Sequence, residues 1–218
     1  MGRPKEHNEH RAGELLEAAE RTVETAGVEG LSVRGVAETV GTTTRAVYSL
    51  FGSKGGLVAA LGAKAFEMLG AGLAELPVTD KPSRDLVDAC VLVFRPFVTH
   101  HPSLFRIGFH HGWQAPPSEA LRSAQEPSWE ALNARVDRLR AAGLLIDRSV
   151  EEATIEFHAL CEGLATLELR GLLPAGREKN VWYDAASALV NGFGLPSATA
   201  RDECRPADGG STGGARRK

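Results

Sequence analysis

Residues 42–54 bring together side chains that could form hydrogen bonds with a nucleic acid. The donors in this short segment include Thr43, Thr44, Arg45, Tyr48 and Ser49. In a helix that turns about 100° per residue, Arg45 and Ser49 fall opposite the apolar Val47, with Tyr48 at their flank. Hydroxyl and guanidinium groups on one helix face suit the base edges and phosphates of a DNA major groove. The segment therefore predicts a surface that reads DNA.

Two short helices must hold these donors in place. Ser32 can cap a helix whose apolar residues Val33, Val36, Ala37 and Val40 form one stripe, and Thr43 can cap a second helix that runs to about Leu50. Between them, Ala37 permits a close helix crossing, and Gly41 tolerates the positive φ of a tight turn. The pattern predicts a helix-turn-helix over residues 33–51. Spacing alone does not separate it from a helical hairpin with a polar outer face.

The residues that follow favour DNA binding over a plain hairpin. Ser53 can cap a fourth helix that starts at Lys54 and runs to near Glu75. This helix opens with Gly55 and Gly56 rather than with acidic residues, so its N-terminal amides stay free for a phosphate.

The segment from Leu31 to Lys54, with the helix before it, resembles the DNA-binding domain of the TetR (tetracycline-repressor-like) family of bacterial regulators. The resemblance covers about residues 10–61 and includes Tyr48, Phe51, Ser53 and Lys54 at the entry to the fourth helix. The chain departs from the family pattern at Leu50, at Thr42 and at the Gly55-Gly56 pair.

The resemblance implies a role for each DNA-facing residue. It implies that Arg45 and Ser49 read bases, with Thr44 near them. It also implies phosphate contacts from Thr43, Tyr48 and Lys54, and a backbone contact from Arg34 at the start of the second helix.

The spacing of apolar residues predicts an all-α chain with an N-terminal three-helix DNA-binding domain at residues 1–53. A helical ligand-binding and dimerisation domain is expected at residues 54–195, and a polar, disordered tail at 196–218. Within the second domain, Ser83 is expected to cap a helix that Pro96 kinks or ends. Residues 112–117 are expected to form a loop. Ser149 and Glu152 have the form of a capping box.

The second domain resembles the family variant that carries a His-Pro-x-Leu-x-Arg stretch, here His101 to Arg106. In that family, the last two long helices pair with their copies in a second subunit. The corresponding helices here are residues 149–172 and 180–193. The resemblance therefore implies a homodimer that reads two half-sites of double-stranded operator DNA.

Aromatic and histidine side chains gather between residues 94 and 113, and more occur near 157. Position by position, this is what an ordinary aromatic core contains. The family resemblance implies instead a pocket for a small, largely apolar effector. The residues predicted to line it are Phe97, His100, Phe105, His110, Trp113, Phe157, His158 and Cys161.

Several functional classes are not expected. No metal site is predicted, because adjacent histidines on a helix point in different directions and no acid or cysteine stands at ligand spacing. No cofactor is predicted. An enzyme that uses His158, Cys161 and Glu162 is disfavoured, because no activated nucleophile with an orienting third group is present. No apolar run approaches the roughly 18 residues of a membrane span, so a cytoplasmic protein is expected.

The net charge of −3 over 218 residues gives no overall basic footprint. Residues 33–54 nevertheless carry three basic residues against the single acidic Glu38, while the first helix holds much of the acidic surplus. We therefore expect few phosphate contacts per subunit and a strong dependence on dimerisation. The sequence predicts a ligand-responsive regulator that acts as a repressor. A DNA-binding regulator without a small-molecule inducer is the alternative.

Overall fold

The computed structural model describes residues 3–110 and 119–195. Within these ranges every element is helical, so the predicted all-α fold class is confirmed. Trp113, the loop expected at 112–117 and the tail expected at 196–218 lie outside the described residues. In chain order the elements are α1 Arg3–Gly30, α2 Val33–Val40, α3 Thr44–Phe51, α4 Lys54–Glu75, α5 Pro82–Asp88, π1 Ala89–Phe94, α6 Arg95–His100, α7 Pro102–Phe105, π2 Arg106–His110, α8 Glu119–Ala141, α9 Val150–Leu169 and α10 Glu178–Gly192.

Local hydrogen bonds set the bounds of α2, α3 and α4. The hydroxyls of Ser32, Thr43 and Ser53 each accept a hydrogen bond from the backbone N–H three residues on. Such N-caps satisfy an amide that the first turn of a helix leaves without a partner. Gly41 ends α2 in the left-handed conformation, with a φ of 67°. All three predicted caps are confirmed.

The helix after the first domain differs from expectation at its start, and the helical run continues past Pro96. It begins at Pro82 rather than at a capping Ser83, because the fixed φ of proline suits the first turn of a helix. Pro96 neither ends nor breaks the helical run. The chain instead widens into the π-helix π1 just before it and continues as α6. A π-helical turn accommodates a proline, which lacks the N–H of a regular helical bond.

The C-terminal part encloses a core in which Trp182 and Phe105 are fully buried. The capping box predicted at the start of α9 is present. The Ser149 hydroxyl accepts from the Glu152 N–H, and the Glu152 carboxylate accepts from the Ser149 N–H. Helix α4 packs along α8 and also contacts α1 and α3. Helix α4 therefore contacts both the N-terminal helices and the C-terminal helices.

Helix α4 also corrects the expectation that no segment has the length and hydropathy of a membrane span. A window of this 22-residue helix reaches a mean hydropathy of 1.5, which is enough by length and composition. Its apolar residues Leu57, Leu61, Leu69 and Leu73 are buried against other helices of the chain. The packing of these residues in the core therefore accounts for the high hydropathy of α4.

Candidate functional site

The helices α2 and α3 pack through small and β-branched side chains. Val36, Ala37 and Val47 are almost fully buried between them and α1. The tight turn is closed by the Thr42 N–H, which donates to the Ala37 carbonyl at 2.9 Å. This packing buries one face of α3 and leaves the opposite face in solvent. The geometry is that of a helix-turn-helix.

The residues predicted to read bases lie on the outer face of α3. Thr44, Arg45 and Ser49 are all exposed. In the described part of the chain, Arg45 forms no hydrogen bond or ion pair. Its guanidinium therefore keeps all five N–H donors for an outside acceptor, which is the geometry that guanine and phosphate accept.

The predicted phosphate contacts Thr43 and Tyr48 flank this face. The Thr43 hydroxyl accepts from the Ala46 N–H at 3.2 Å. Because a hydroxyl that accepts a bond still carries its own proton, Thr43 can cap α3 and donate to a phosphate at the same time. Tyr48 is about half exposed, at 52%. Its ring and hydroxyl project beside the face that carries Arg45.

The other two predicted contacts, Arg34 and Lys54, already have partners within the chain. The Arg34 Nε donates to the Glu38 Oε1 at 2.8 Å. This hydrogen bond raises the pKa of Arg34, so the group stays charged. The Lys54 Nζ donates to the Glu29 carbonyl at 3.4 Å. Both side chains are exposed, and a phosphate would compete with these weak surface partners.

The glycine pair at the start of α4 has a structural cause. A Cβ added to Gly56 would lie 1.8 Å from the Phe51 carbonyl oxygen, whereas one added to Gly55 would meet only the Ser53 hydroxyl at 3.6 Å. The close approach of α3 to α4 therefore requires glycine at 56. In the described residues the first turn of α4 contains no acidic side chain, as the sequence indicates.

A second feature lies in the C-terminal part, where α4, α8 and α9 enclose a cavity of about 740 Å³. Its wall is mostly aromatic and aliphatic, with a few polar side chains. A volume and lining of this kind are typical of sites for small organic molecules. The lining residues are Phe66, Leu69, Leu73, Ala89, Val93, Phe94, Gly108, Phe109, Leu121, Arg122, Gln125, Glu126, Ser128, Trp129, Leu132, Phe157, His158, Cys161 and Glu162.

Three of the residues predicted to line a pocket, Phe157, His158 and Cys161, lie in this wall. Burial lowers the pKa of His158, and the nearby Glu162 offsets only part of this effect, so the imidazole is neutral at neutral pH. Burial also raises the pKa of the Cys161 thiol, which lies 3.4 Å from the thiol of Cys90. Cys161 is therefore a protonated thiol rather than a nucleophile.

Four other residues predicted to line the pocket lie outside the wall of this cavity. Phe105 is fully buried in an aromatic cluster with Phe94 and Phe109. Phe97 and His100 line a separate groove between α4 and α6. His110 contacts Glu162 from outside the wall. Successive helical residues point about 100° apart, so neighbours in sequence do not share one face.

Much of the cavity wall comes from residues that the prediction did not include. Helix α8 supplies Leu121, Gln125, Ser128 and Leu132, and α4 supplies Phe66, Leu69 and Leu73. Both sets recur at three- and four-residue spacings, as residues on one helix face do. The spacing therefore identifies the buried face of each helix, but it does not reveal which buried face borders a cavity.

Residues 3–110 and 119–195 contain no group of three or more His, Cys, Asp or Glu side chains that could hold a metal ion. The helix-turn-helix face and the cavity are the two candidate binding sites.

Solved structures with a similar fold support this architecture. A Rhodococcus sp. RHA1 protein of unknown function has 23% identity and a TM-score of 0.75, with 84% of this chain and 95% of that chain covered. The TetR family transcriptional regulator PfmR from Thermus thermophilus has 20% identity and a TM-score of 0.62, with 82% and 98% covered. The fatty acid degradation regulator FadR from Bacillus halodurans has 9% identity and a TM-score of 0.68, with 83% and 94% covered.

Family-level comparison covers both parts of the chain. The family described as "Bacterial regulatory proteins, tetR family" matches residues 15–61, which contain the helix-turn-helix. The family described as "Tetracyclin repressor-like, C-terminal domain" matches residues 87–190, which contain most of the cavity wall. No curated protein sequence matches the chain. With its DNA-facing helix and both matches taken together, the chain belongs to the tetR family and is a DNA-binding transcriptional regulator, not an enzyme.

Proposed function

We propose that this regulator is a repressor that binds a palindromic operator as a homodimer and that a small, largely apolar molecule releases it. The observation that carries the proposal is the course of α4. Its first residue, Lys54, adjoins α3, and Phe66 in its middle lines the cavity. At about 1.5 Å per residue, about 18 Å of one helix joins the two sites.

Helix α4 can transmit the effect of a bound ligand from the cavity to the DNA-binding helix α3. A molecule in the cavity presses on Phe66, Leu69 and Leu73, and a shift of α4 carries α3 with it. In a dimer, such a shift changes the distance between the two recognition helices. A ligand that binds only the shifted form then lowers the affinity of the protein for operator DNA. Bound operator DNA lowers the affinity for the ligand by the same factor.

The cavity itself favours this proposal over a regulator without an inducer. A domain that only dimerises is expected to fill its interior with its own side chains. Here about 740 Å³ remains open between α4, α8 and α9. This volume falls in the range of sites that enclose drug-sized molecules.

The proposed dimer is supported by an exposed stripe on α9. Four residues spaced four apart lie on its outer face, namely Ile155, Ala159, Gly163 and Leu167, and all four are exposed. Two of them are small, so a second helix can approach closely. Two α9 helices and two α10 helices would form a four-helix bundle across the two-fold axis. We also propose that the regulator acts in the cytoplasm, where its operator lies.

A gel-shift experiment on the DNA that flanks the protein's own gene tests the proposed DNA contact. We expect Arg45→Ala to weaken binding by at least about tenfold, because each arginine–guanine contact supplies about 1–3 kcal/mol of discrimination. Arg21→Ala is the matched control, since Arg21 is an exposed arginine of α1 that pairs with Glu17. Binding should also weaken steeply with salt.

Equal binding by the wild type and Arg45→Ala would show that α3 does not read the DNA through this face. Binding that is insensitive to salt would contradict the phosphate contacts. A loss of binding in Arg21→Ala as large as in Arg45→Ala would mean that overall charge, not base contact, drives the affinity.

A further inference from the structure

The wall of the cavity combines many aromatic rings with one interior carboxylate. Phe66, Phe94, Phe109, Trp129 and Phe157 supply the rings, and Glu162 supplies the carboxylate. The Glu162 side chain is only 29% exposed, whereas the other charged lining residues, Arg122 and Glu126, lie on the solvent side of α8. Among the charged residues of the wall in the described part of the chain, the least exposed one is therefore negative.

In the described residues, the ion-pair partners of Glu162 are two histidines. Its Oε1 lies 3.3 Å from the His110 Nε2, and its Oε2 lies 3.5 Å from the His158 Nε2. In the part of the chain that the structure describes, no lysine or arginine pairs with it. Burial lowers the pKa of His158, so this imidazole offers a neutral N–H and not a positive charge. Because His158 is neutral, a ligand with a permanent positive charge would add an attraction to this carboxylate that His158 does not supply.

Aromatic faces adjoin this carboxylate. The His158 ring stacks on Phe109 at 5.6 Å and meets Trp129 edge-on at 5.3 Å between ring centroids. A cation beside Glu162 would therefore come close to aromatic rings as well as to a carboxylate. Cation–π attraction acts within about 6 Å of a ring centroid and is strongest with tryptophan. Both interactions favour a positive head group and neither favours a negative one.

We propose, on the basis of the ligand-responsive function above, that the cavity takes an apolar organic cation, either a hydrophobic amine or a quaternary ammonium compound. Its positive head lies against Glu162 beside Trp129 and Phe109, and its apolar body fills the space lined by Phe66, Phe94 and Leu69. An anionic amphiphile would face Glu162 without a counter-charge. The one arginine of the wall, Arg122, is exposed and already pairs with Glu119.

A series of three amphiphiles with the same chain and different heads tests this assignment. Dodecyltrimethylammonium, dodecanol and dodecanoate are titrated into the full-length protein below their micelle concentrations, with binding measured by calorimetry. We expect the cation to bind at least about tenfold more tightly than the alcohol, and the carboxylate to bind most weakly. We also expect the cation to release the operator in a gel shift.

Two Glu→Gln variants test whether the carboxylate of Glu162 binds the positive head group. Glu162→Gln should reduce the affinity for the cation about tenfold and change the affinity for dodecanol by less than about twofold. Glu130→Gln removes an exposed carboxylate of α8 that does not line the cavity and should change neither affinity, which controls for the overall negative charge of the protein. If Glu162→Gln does not fold, as judged by circular dichroism, the relative affinities of the wild type for the three amphiphiles decide whether the cavity prefers a cation.

The outcomes separate this inference from the proposed function. If dodecanol or dodecanoate binds as tightly as the cation and releases the operator, the cationic preference is overturned and the ligand response stands. The same holds if Glu162→Gln binds the cation as tightly as the wild type. If none of the three binds, both the inference and the proposed ligand response fail, whatever the result of the Arg45→Ala gel shift.

Discussion

The carboxylate of Glu20 lies 2.7 Å from the Nδ1 of His101, although 81 residues separate them in the chain. The same carboxylate accepts a hydrogen bond of 2.7 Å from the Lys64 Nζ. Glu20 belongs to α1, Lys64 to α4, and His101 to the junction of α6 and α7. This polar triad ties the DNA-binding helices to the helices that surround the cavity.

Glu20 is expected to stabilise the fold in a pH-dependent way. Burial raises the pKa of Glu20, but the hydrogen bonds from Lys64 and His101 outweigh burial and hold the pKa below its usual value. A lowered pKa means that the stabilisation is present above the unfolded pKa of about 4.3 and is lost as the pH falls through the folded pKa. We expect Glu20→Gln to lower the free energy of unfolding by about 1–3 kcal/mol at pH 7. As the pH falls through the folded pKa of Glu20, the two proteins should converge.

Urea unfolding at a series of pH values measures this difference. Glu17→Gln is the control, because Glu17 is exposed and its 3.9 Å pair with Arg21 should contribute less than about 1 kcal/mol. A Glu20→Gln deficit that does not shrink as the pH falls would mean that packing, and not ionisation, accounts for it.

Glu38 is expected to restrain DNA binding. Its carboxylate holds Arg34 and also places a negative charge near the phosphates. We expect Glu38→Gln to tighten operator binding about two- to fivefold at low salt, with a steeper salt dependence, because Arg34 is freed for a phosphate. Fluorescence anisotropy with labelled operator measures the change. Glu17→Gln should leave affinity unaltered, and weaker binding by Glu38→Gln would show that Arg34 needs this partner.

Gly56 is expected to be irreplaceable at the start of α4, while its neighbour is not. In Gly56→Ala, the new Cβ would meet the Phe51 carbonyl oxygen at 1.8 Å, so α3 and α4 must separate. We expect a loss of about 1–3 kcal/mol in the free energy of unfolding together with weaker DNA binding. Gly55→Ala has room for its Cβ and should be neutral or slightly stabilising. Equal thermal stability of the two variants would contradict the close approach.

Gly163 is expected to lie in the dimer interface. A Cβ added there meets nothing within 4 Å in its own chain, so Gly163→Glu should fold. We expect this charge on the exposed stripe of α9 to convert the dimer to a monomer and to weaken operator binding, because a single half-site is bound less tightly. Light scattering coupled to gel filtration measures the mass.

Ala71→Glu provides the matched charge on an exposed residue of α4 and should leave the dimer intact. A dimer that persists in Gly163→Glu would exclude this face as the interface. A wild type that is already monomeric would contradict the proposed dimer as a whole.

The sequence by itself determined the helix-turn-helix, because each of its boundaries depends on residues three or four apart. Ser32, Gly41, Thr43 and Ser53 act on their own turns, and their hydrogen bonds form wherever the helices lie. The exposed face with Arg45 follows equally from local periodicity. Ser83 was a weaker signal of the same kind, and Pro82 beside it took the first turn instead.

Only the tertiary structure decided the cavity and the link between the two parts of the chain. Phe94 lies in π1, whose turns are wider than those of an α-helix, and sequence proximity did not reveal that Phe94 borders the cavity while Phe97 and Phe105 do not. Glu20 with His101, and Glu162 with His110, meet across long stretches of chain. Such contacts depend on how whole helices pack and rotate, and that arrangement is set by the summed burial of the core and not by any local pattern.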